Sequence, residues 1–303
     1  MSQQCQGSIT TIDQQLVTWL GNKEAHALIG TVHSIFNTVI NVLSSDRNNL
    51  LTLALDEVVS SPWMMKTEDN YLFELMKSKI APGDSVTLSE NFTIEIKQIE
   101  WNYKNAVFSD TKINKKNASE KIFNNGFSNK VYQFIKEQGK DSGLVSAWDK
   151  YSMENPNANE DENVYVKSYL QAIKKMSEAV ENNDKSAVLK HSYRLIGLGL
   201  GLTPTGDDFI LGCLAVWGFF ESPLIEQFKE SNWIENAKKK TTVISAFMLE
   251  NGVNGYMNQA LGDLLIHHKE KDLSTYLGPF LKIGATSGTD MLIGVIFAYK
   301  QMN

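Results

Sequence analysis

"GLGLGLTPTGDDFILGCLAVWGFF", Gly197 to Phe220, starts with a glycine at every second position. It passes through Leu-Thr-Pro-Thr and two adjacent aspartates, and ends almost wholly apolar. Pro204 suits the loop just ahead of a helix or its first turn, and Thr205 can cap. Asp207 and Asp208 then fall in the first turn, where a carboxylate complements the helix dipole by about 0.3–1 kcal/mol. Gly197, Gly199 and Gly201 permit positive φ and let bare backbone approach a neighbour closely. A membrane span needs about 20 uninterrupted apolar residues. Asp207 and Asp208 divide this run into shorter pieces, so it reads as a buried helix of a soluble core with no membrane role.

Around this helix the chain has two characters. Residues 28 to 100 are rich in strand patterns. "GTVHSIFNTVINVL" and "LLTLALDEVV" are β-branched or apolar runs separated by the turn-like "SSDRNN". "APGDSVTLSENFTIEIKQIEWN" reads as two short strands joined at Ser89-Glu90-Asn91, with a turn at Pro82-Gly83-Asp84. "SPWMMK", 61–66, reads as a break, because Pro62 limits regular pairing. From about 112 the spacing of Ile122, Phe123, Phe127, Val131 and Phe134 is helical. "MENPNANEDEN", 153–163, reads as a surface loop or linker. Helices are then predicted over 164–182, 184–196, 207–220, 223–235, 241–252, 255–269 and 287–301, with Asp184 capping the second. The fold class is therefore α+β: a β-rich N-terminal domain, 1–110, and a larger helical domain, 111–303, that carries the Gly/Thr/Asp loops.

The bulk composition narrows the function. The chain has 303 residues with 42% hydrophobic, enough for a substantial core, and a formal net charge of −6. That balance argues against a dedicated nucleic-acid binder, although Lys238-Lys239-Lys240 is a local basic patch. The two cysteines, Cys5 and Cys213, suggest neither a disulfide framework nor a cysteine metal site. The N-terminal residues lack a secretory pattern, so a reducing cytoplasm is expected.

Two carboxylates at the start of a buried helix need a reason beyond capping, for which one is enough. Buried charge is costly unless it is paired, hydrogen-bonded or open to a pocket. Asp207 and Asp208 are therefore the candidate catalytic residues. Gly199, Gly201, Thr203, Thr205 and Gly206 line the same loop. A second loop echoes it: "TPTGDDFILG" (203–212) returns as "TSGTDMLIG" (286–294). There Thr286, Ser287, Gly288 and Asp290 meet a helix N-terminus, a natural place for an anion. In "KKKTTVISAFML", Thr241, Thr242 and Ser245 put hydroxyls at a third helix start, with Lys240 for charge. All these, with His33 on a strand, form the candidate substrate-binding set. Capping remains the plain alternative for each helix start, and a structural role the plain one for His33. No GxSxG, Walker loop or zinc spacing is present, and no cofactor is expected. A divalent cation at Asp207, Asp208 and Asp290 is the one option the residues offer.

"GLGLGLTPTGDDFILG", "TTVISAFML" and "IGATSGTDMLIG" resemble the signature blocks of the AllH-type family, that of the AllH subunit of oxamate carbamoyltransferase. "GTVHSIFNTVINVL" and "SPWMM" are similar to its N-terminal blocks. The family usually has Pro where this chain has Leu200, and often Arg where it has Lys240, a point charge without a bidentate grip. The resemblance implies carbamoyl transfer between oxalurate and phosphate, giving oxamate and carbamoyl phosphate, in purine or allantoin nitrogen use. It also implies FdrA-like (AllF) and AllG-type partner subunits. Two other readings stand beside it: a non-catalytic metabolite-binding or assembly subunit of such a complex, and a Mg-dependent hydrolase built on the aspartates.

Overall fold

Alternating apolar residues between 28 and 102 form strands, as their period of two requires. A computed structural model describes residues 5–113, 125–152 and 163–302. It divides into two compact units, Met1–Thr111 and Lys112–Asn303.

The first unit is β-rich. Its strands are β1 (Cys5–Ser8), β2 (Thr11–Asp13), β3 (Leu28–Ile35), β4 (Val39–Ser44) and β5 (Leu50–Leu55). They continue with β6 (Met64–Thr67), β7 (Ser85–Ser89), β8 (Thr93–Ile96), β9 (Ile99–Asn102) and β10 (Val107–Ser109). They form one sheet in the order β1-β9-β8-β7-β3-β4-β5-β6-β2-β10. β3, β4 and β5 run antiparallel in sequence, and the crossover to β6 is parallel. The sheet curls round its own apolar face. Ile29, Val42, Leu51, Met65, Val86, Ile94 and Trp101, from β3 to β9, surround one point of the core.

Two short helices lie in this unit, α1 (Gln14–Gly21) and α2 (Asn70–Lys79). Asp13 caps α1 and is buried. Its Oδ1 accepts from the N–H groups of Gln15 and Trp63, and its Oδ2 from Thr111 Oγ1 at 2.8 Å. The expected break at 61–66 is half corrected. Trp63 takes a positive φ of 61°, but Met64–Thr67 then pairs with β5 and β2. The predicted two-strand stretch after Ala81 is three strands. The chain turns at Asn91 and Phe92 and again at Lys97 and Gln98, all at positive φ.

The second unit is helical. It holds α3 (Asn125–Gln138), α4 (Leu144–Ser152), α5 (Val164–Glu181), α6 (Lys185–Leu195) and α7 (Thr205–Phe219). It continues with α8 (Pro223–Glu230), α9 (Trp233–Ala237), α10 (Val243–Val253), α11 (Gln259–Ile266), α12 (Ser274–Leu277) and α13 (Ser287–Lys300), with a 3-10 turn at Gly278–Lys282 before the last. Phe127, Val131 and Phe134 are buried on α3 as their spacing predicts. Ile122 and Phe123 lie outside the described residues, as does the 153–163 linker except Asn163, which caps α5. Asp184 caps α6 through Ala187 N–H at 2.9 Å. The single helix expected over 223–235 is two, because Ser231 ends α8 and its hydroxyl accepts from Trp233 N–H.

The core of this unit is the pair α7 and α13. Both are buried almost along their whole length. A helix apolar all round needs neighbours on every side, and α6, α8, α10 and α11 also pack on α7. Among the described residues no single helix is long and apolar enough to cross a membrane. At the α7–α13 crossing, a Cβ on Gly212 would collide with the carbonyl oxygen of Met291, and one on Gly294 with that of Phe209. In the sequence echo Gly212 corresponds to Gly294 and Phe209 to Met291, so the two contacts are one contact made twice. Reciprocity of this kind is what a two-fold relation generates. The repeat noticed in the sequence is therefore a structural repeat of the two central helices.

Candidate functional site

Reciprocal packing brings the N-termini of α7 and α13 together. The loop before α7 runs from Ile196 to Pro204, and Pro204, not Thr205, is the N-cap. Gly197, Gly199 and Gly201 all have positive φ, at 71°, 125° and 94°. The first two also lie close to backbone: a Cβ at Gly197 would meet the Lys240 carbonyl, and one at Gly199 would stand 2.7 Å from Thr205 N. Gly201 has open space around it. Leu200, beside it, is 79% exposed. Gly206 packs against the Leu195 carbonyl and Gly288 against that of Phe280, again at matching places of the repeat.

Asp207 ties three segments together. Its Oδ1 accepts from Gly197 N–H at 2.8 Å. Its Oδ2 accepts from Ser245 Oγ at 2.6 Å and from the Thr241 hydroxyl. Burial pushes its carboxyl up, and these donors together with Lys240 pull it down. Thr242 caps α10 through Ser245 N–H and donates to the Leu202 carbonyl at 2.5 Å. The hydroxyls of the third segment thus bind the glycine loop to α10. Lys240 faces elsewhere. Its Nζ donates to the carbonyls of Tyr193 and Arg194, at 2.9 and 3.3 Å, where it caps α6 and lies over the Tyr193 ring. Burial lowers its pKa.

Asp208 and Asp290 are placed differently. Asp208 is 2% exposed and Asp290 0%. Asp290 Oδ1 accepts from Ser142 Oγ at 2.6 Å. The Oδ2 atoms of both are buried with no hydrogen-bond partner. Burial raises Asp208 well above the usual carboxylate range, and the charge of Asp290 raises it further against the pull of Ser287 and Thr203. Burial lifts Asp290 to about 7, opposed by the hydroxyls of Ser142, Thr286 and Thr205. Above this pair, Thr203 Oγ1 and Ser287 Oγ meet at 2.9 Å and join the two loops. Tyr169, on α5, lies beside Gly199 and the Leu198 carbonyl, and burial moves its phenol to about 12.

The loops at 197–208, 239–245 and 284–290 therefore meet in one place. Gly199, Thr203, Thr205, Gly206, Asp207, Asp208, Thr241, Thr242, Ser245, Thr286, Ser287, Gly288 and Asp290 are all there, with Gly201 at the exposed rim. Gly288 serves packing: its N–H donates to the Ile283 carbonyl at 3.1 Å. His33 belongs to the first unit, on β3, with Nδ1 3.2 Å from Ser34 Oγ. Ser142 and Tyr169 were missed. Asp141-Ser142-Gly143 carries no pattern beyond a helix start, and it reaches α13 across 148 residues of sequence. Among the described residues no group of three His, Cys, Asp or Glu is placed to share a metal ion. Asp207, one of the three carboxylates of the divalent-cation option, accepts three hydrogen bonds from the chain itself.

Residues 195–299 match the family model described as oxamate carbamoyltransferase subunit AllH, and residues 8–110 match the AllH family N-terminal domain. The chain belongs to the AllH family. The AllH match begins at Leu195, so it takes in all three converging loops and both central helices, while Ser142 and Tyr169 precede it. No solved structure matches the chain.

Proposed function

We propose that this AllH-family chain is the subunit that binds a small carbamoyl-bearing substrate in an oxamate carbamoyltransferase, in carbamoyl transfer between oxalurate and phosphate that gives oxamate and carbamoyl phosphate. The observation that carries this reading is the meeting of two helix N-termini over Asp208 and Asp290. Each carboxyl has one buried oxygen without a partner. Such atoms cost about 1–3 kcal/mol or more when left unsatisfied, and a substrate with matching hydrogen-bond groups relieves that. The two helix dipoles also favour a negative substrate group nearby. The partners would be FdrA-like (AllF) and AllG-type subunits, and the compartment the cytoplasm, where Cys5 and the buried Cys213 stay reduced.

Asp208 and Asp290 are buried and Thr203 and Ser287 are bonded to each other near them, so we infer that substrate entry moves the Gly199–Thr203 loop. The exposed Leu200 and open Gly201 put a handle for that movement on the surface. This favours a second reading, in which the chain is a non-catalytic subunit that senses the metabolite while a partner subunit carries out the chemistry. The test is carbamoyl phosphate formation from oxalurate and phosphate by the chain alone and with its partner subunits. Turnover that needs this chain and is lost with Asp208→Ala supports the first reading. Oxamate binding with undiminished turnover in Asp208→Ala supports the second.

A further inference from the structure

Asp207, Asp208 and Asp290 have different surroundings, and the difference assigns them different work. Both oxygens of Asp207 accept hydrogen bonds from the chain. Asp208 and Asp290 occupy equivalent positions of the α7/α13 repeat, and each presents an unpartnered Oδ2. The Thr203–Ser287 hydrogen bond, 2.9 Å, joins the two helix starts beside them, and the charge of Asp290 raises Asp208. Two buried carboxyls in that position do not ionise together, so one keeps its proton and donates while the other accepts.

We propose that Asp208 and Asp290 form a donor–acceptor pair for a carboxamide or ureide group, with Asp208 giving its O–H to the carbonyl oxygen and Asp290 accepting the N–H. This rests on the functional reading above and deepens it by naming the substrate group that the aspartates select. A primary carboxamide offers one acceptor and one donor on adjacent atoms, which matches an acid beside a carboxylate. A carboxylate offers acceptors alone and would face Asp290 oxygen to oxygen. The carboxylate of an oxamate-like molecule therefore lies away from the pair, toward the Thr203 and Ser287 hydroxyls and the helix N-termini.

The ionisation order agrees with this assignment. Burial pushes Asp290 up to about 7, and burial together with the charge of Asp290 pushes Asp208 well above the usual carboxylate range. The other titratable groups acting on the pair are Asp207 on α7, Asp141 ahead of α4, and Tyr169 on α5. Asp141 and Asp207 both oppose ionisation, and the Tyr169 phenol is neutral at pH 7. No cation acts directly on Asp208 or Asp290 among their main influences, since Lys240 acts on Asp207.

Asparagine tests the two positions separately, because it replaces Oδ2 with an N–H donor. Oxamate and oxalate are titrated calorimetrically into the full chain at pH 7, as wild type, Asp208→Asn and Asp290→Asn. Wild type is expected to prefer oxamate by about tenfold or more. Asp208→Asn keeps that preference, since a donor replaces a donor. Asp290→Asn reverses it, since two donors now face the ligand and suit a carboxylate. An unchanged preference in Asp290→Asn overturns the pairing and leaves the functional reading standing. Binding of neither ligand to wild type overturns both. Infrared spectroscopy of the ligand-free protein gives a second readout should Asp290→Asn not fold. A carboxylic-acid carbonyl band at pH 9, above the Asp290 transition, that disappears in Asp208→Asn supports the pair, and its absence from wild type overturns it.

Discussion

Gly212 of α7 and Gly294 of α13 stand in the same relation to each other's helix: each lies against a carbonyl oxygen of the other, Met291 for the first and Phe209 for the second. Cys213 Sγ also reaches the Gly294 carbonyl, at 3.4 Å. No side chain fits in either place, so the crossing depends on both glycines. Gly212→Ala and Gly294→Ala should each lower stability by about 1–3 kcal/mol or more, as overpacking does. The double variant should lose less than the two losses added, because the first alanine already separates the helices. Urea midpoints of the four proteins check this, and strict additivity would show that the glycines are independent.

Asp207 clasps three segments of the chain through its hydrogen bonds. Asp207→Ala leaves Gly197 N–H, Thr241 Oγ1 and Ser245 Oγ without their acceptor, and each such loss costs about 1–3 kcal/mol when the group stays buried. The variant should be strongly destabilised. Amide exchange should rise first in 197–203, the segment that the carboxylate fastens. Unchanged exchange there would show that the loop holds without it.

Stability should depend on pH through the buried carboxyls. Asp290 has its folded-state pKa raised from 3.8 to about 7. A group shifted in that direction stabilises the fold fully below about 4 and loses its contribution as pH rises through 7. Asp207 and Asp208 are raised too and act with the same sign. The full effect of moving one carboxyl from 3.8 to 7 is about 4 kcal/mol. Denaturant unfolding at pH 5 and pH 8 should show the fall, and Asp290→Asn should flatten it. A fall of equal size in that variant would place its origin elsewhere.

Lys240 Nζ caps α6 through the Tyr193 and Arg194 carbonyls. Lys240→Met removes two donors to the last carbonyls of that helix and should cost about 1 kcal/mol. Oxamate affinity should stay within about threefold of wild type, because the proposed Asp208–Asp290 carboxamide pair does not include the ammonium. A collapse of affinity with stability unchanged would return Lys240 to the ligand.

The sequence announced the central helices because their signals are local: a run of apolar residues, a proline at the entry and two acids in the first turn. It announced the repeat because Gly206/Gly288, Asp208/Asp290 and Gly212/Gly294 keep the same spacing. It did not reveal which aspartate is held by the chain's own donors. That is decided by Gly197, Thr241 and Ser245 taking up Asp207, a choice made through space. The α6 carbonyls that Lys240 reaches were hidden for the same reason, since a position in a basic run says nothing of them. In the first unit α1 and α2 were hidden among strand-forming runs. Strand β6 was hidden by Pro62, whose break is completed at Trp63, so that pairing resumes one residue later.

The burial of α7 on every side sets a timing problem for synthesis. α13, which covers much of it, begins about 80 residues further along the chain. At a ribosome adding roughly 5–20 residues per second, α7 waits about 4–16 s for that cover. During this interval one of the most apolar segments of the chain has left the tunnel without its main partner. Newly made chains should therefore be most vulnerable to aggregation just before α13 emerges, and should engage holding chaperones in that window. Chains stalled at residue 280 and full-length chains released from the ribosome, compared for chaperone capture, would show the difference.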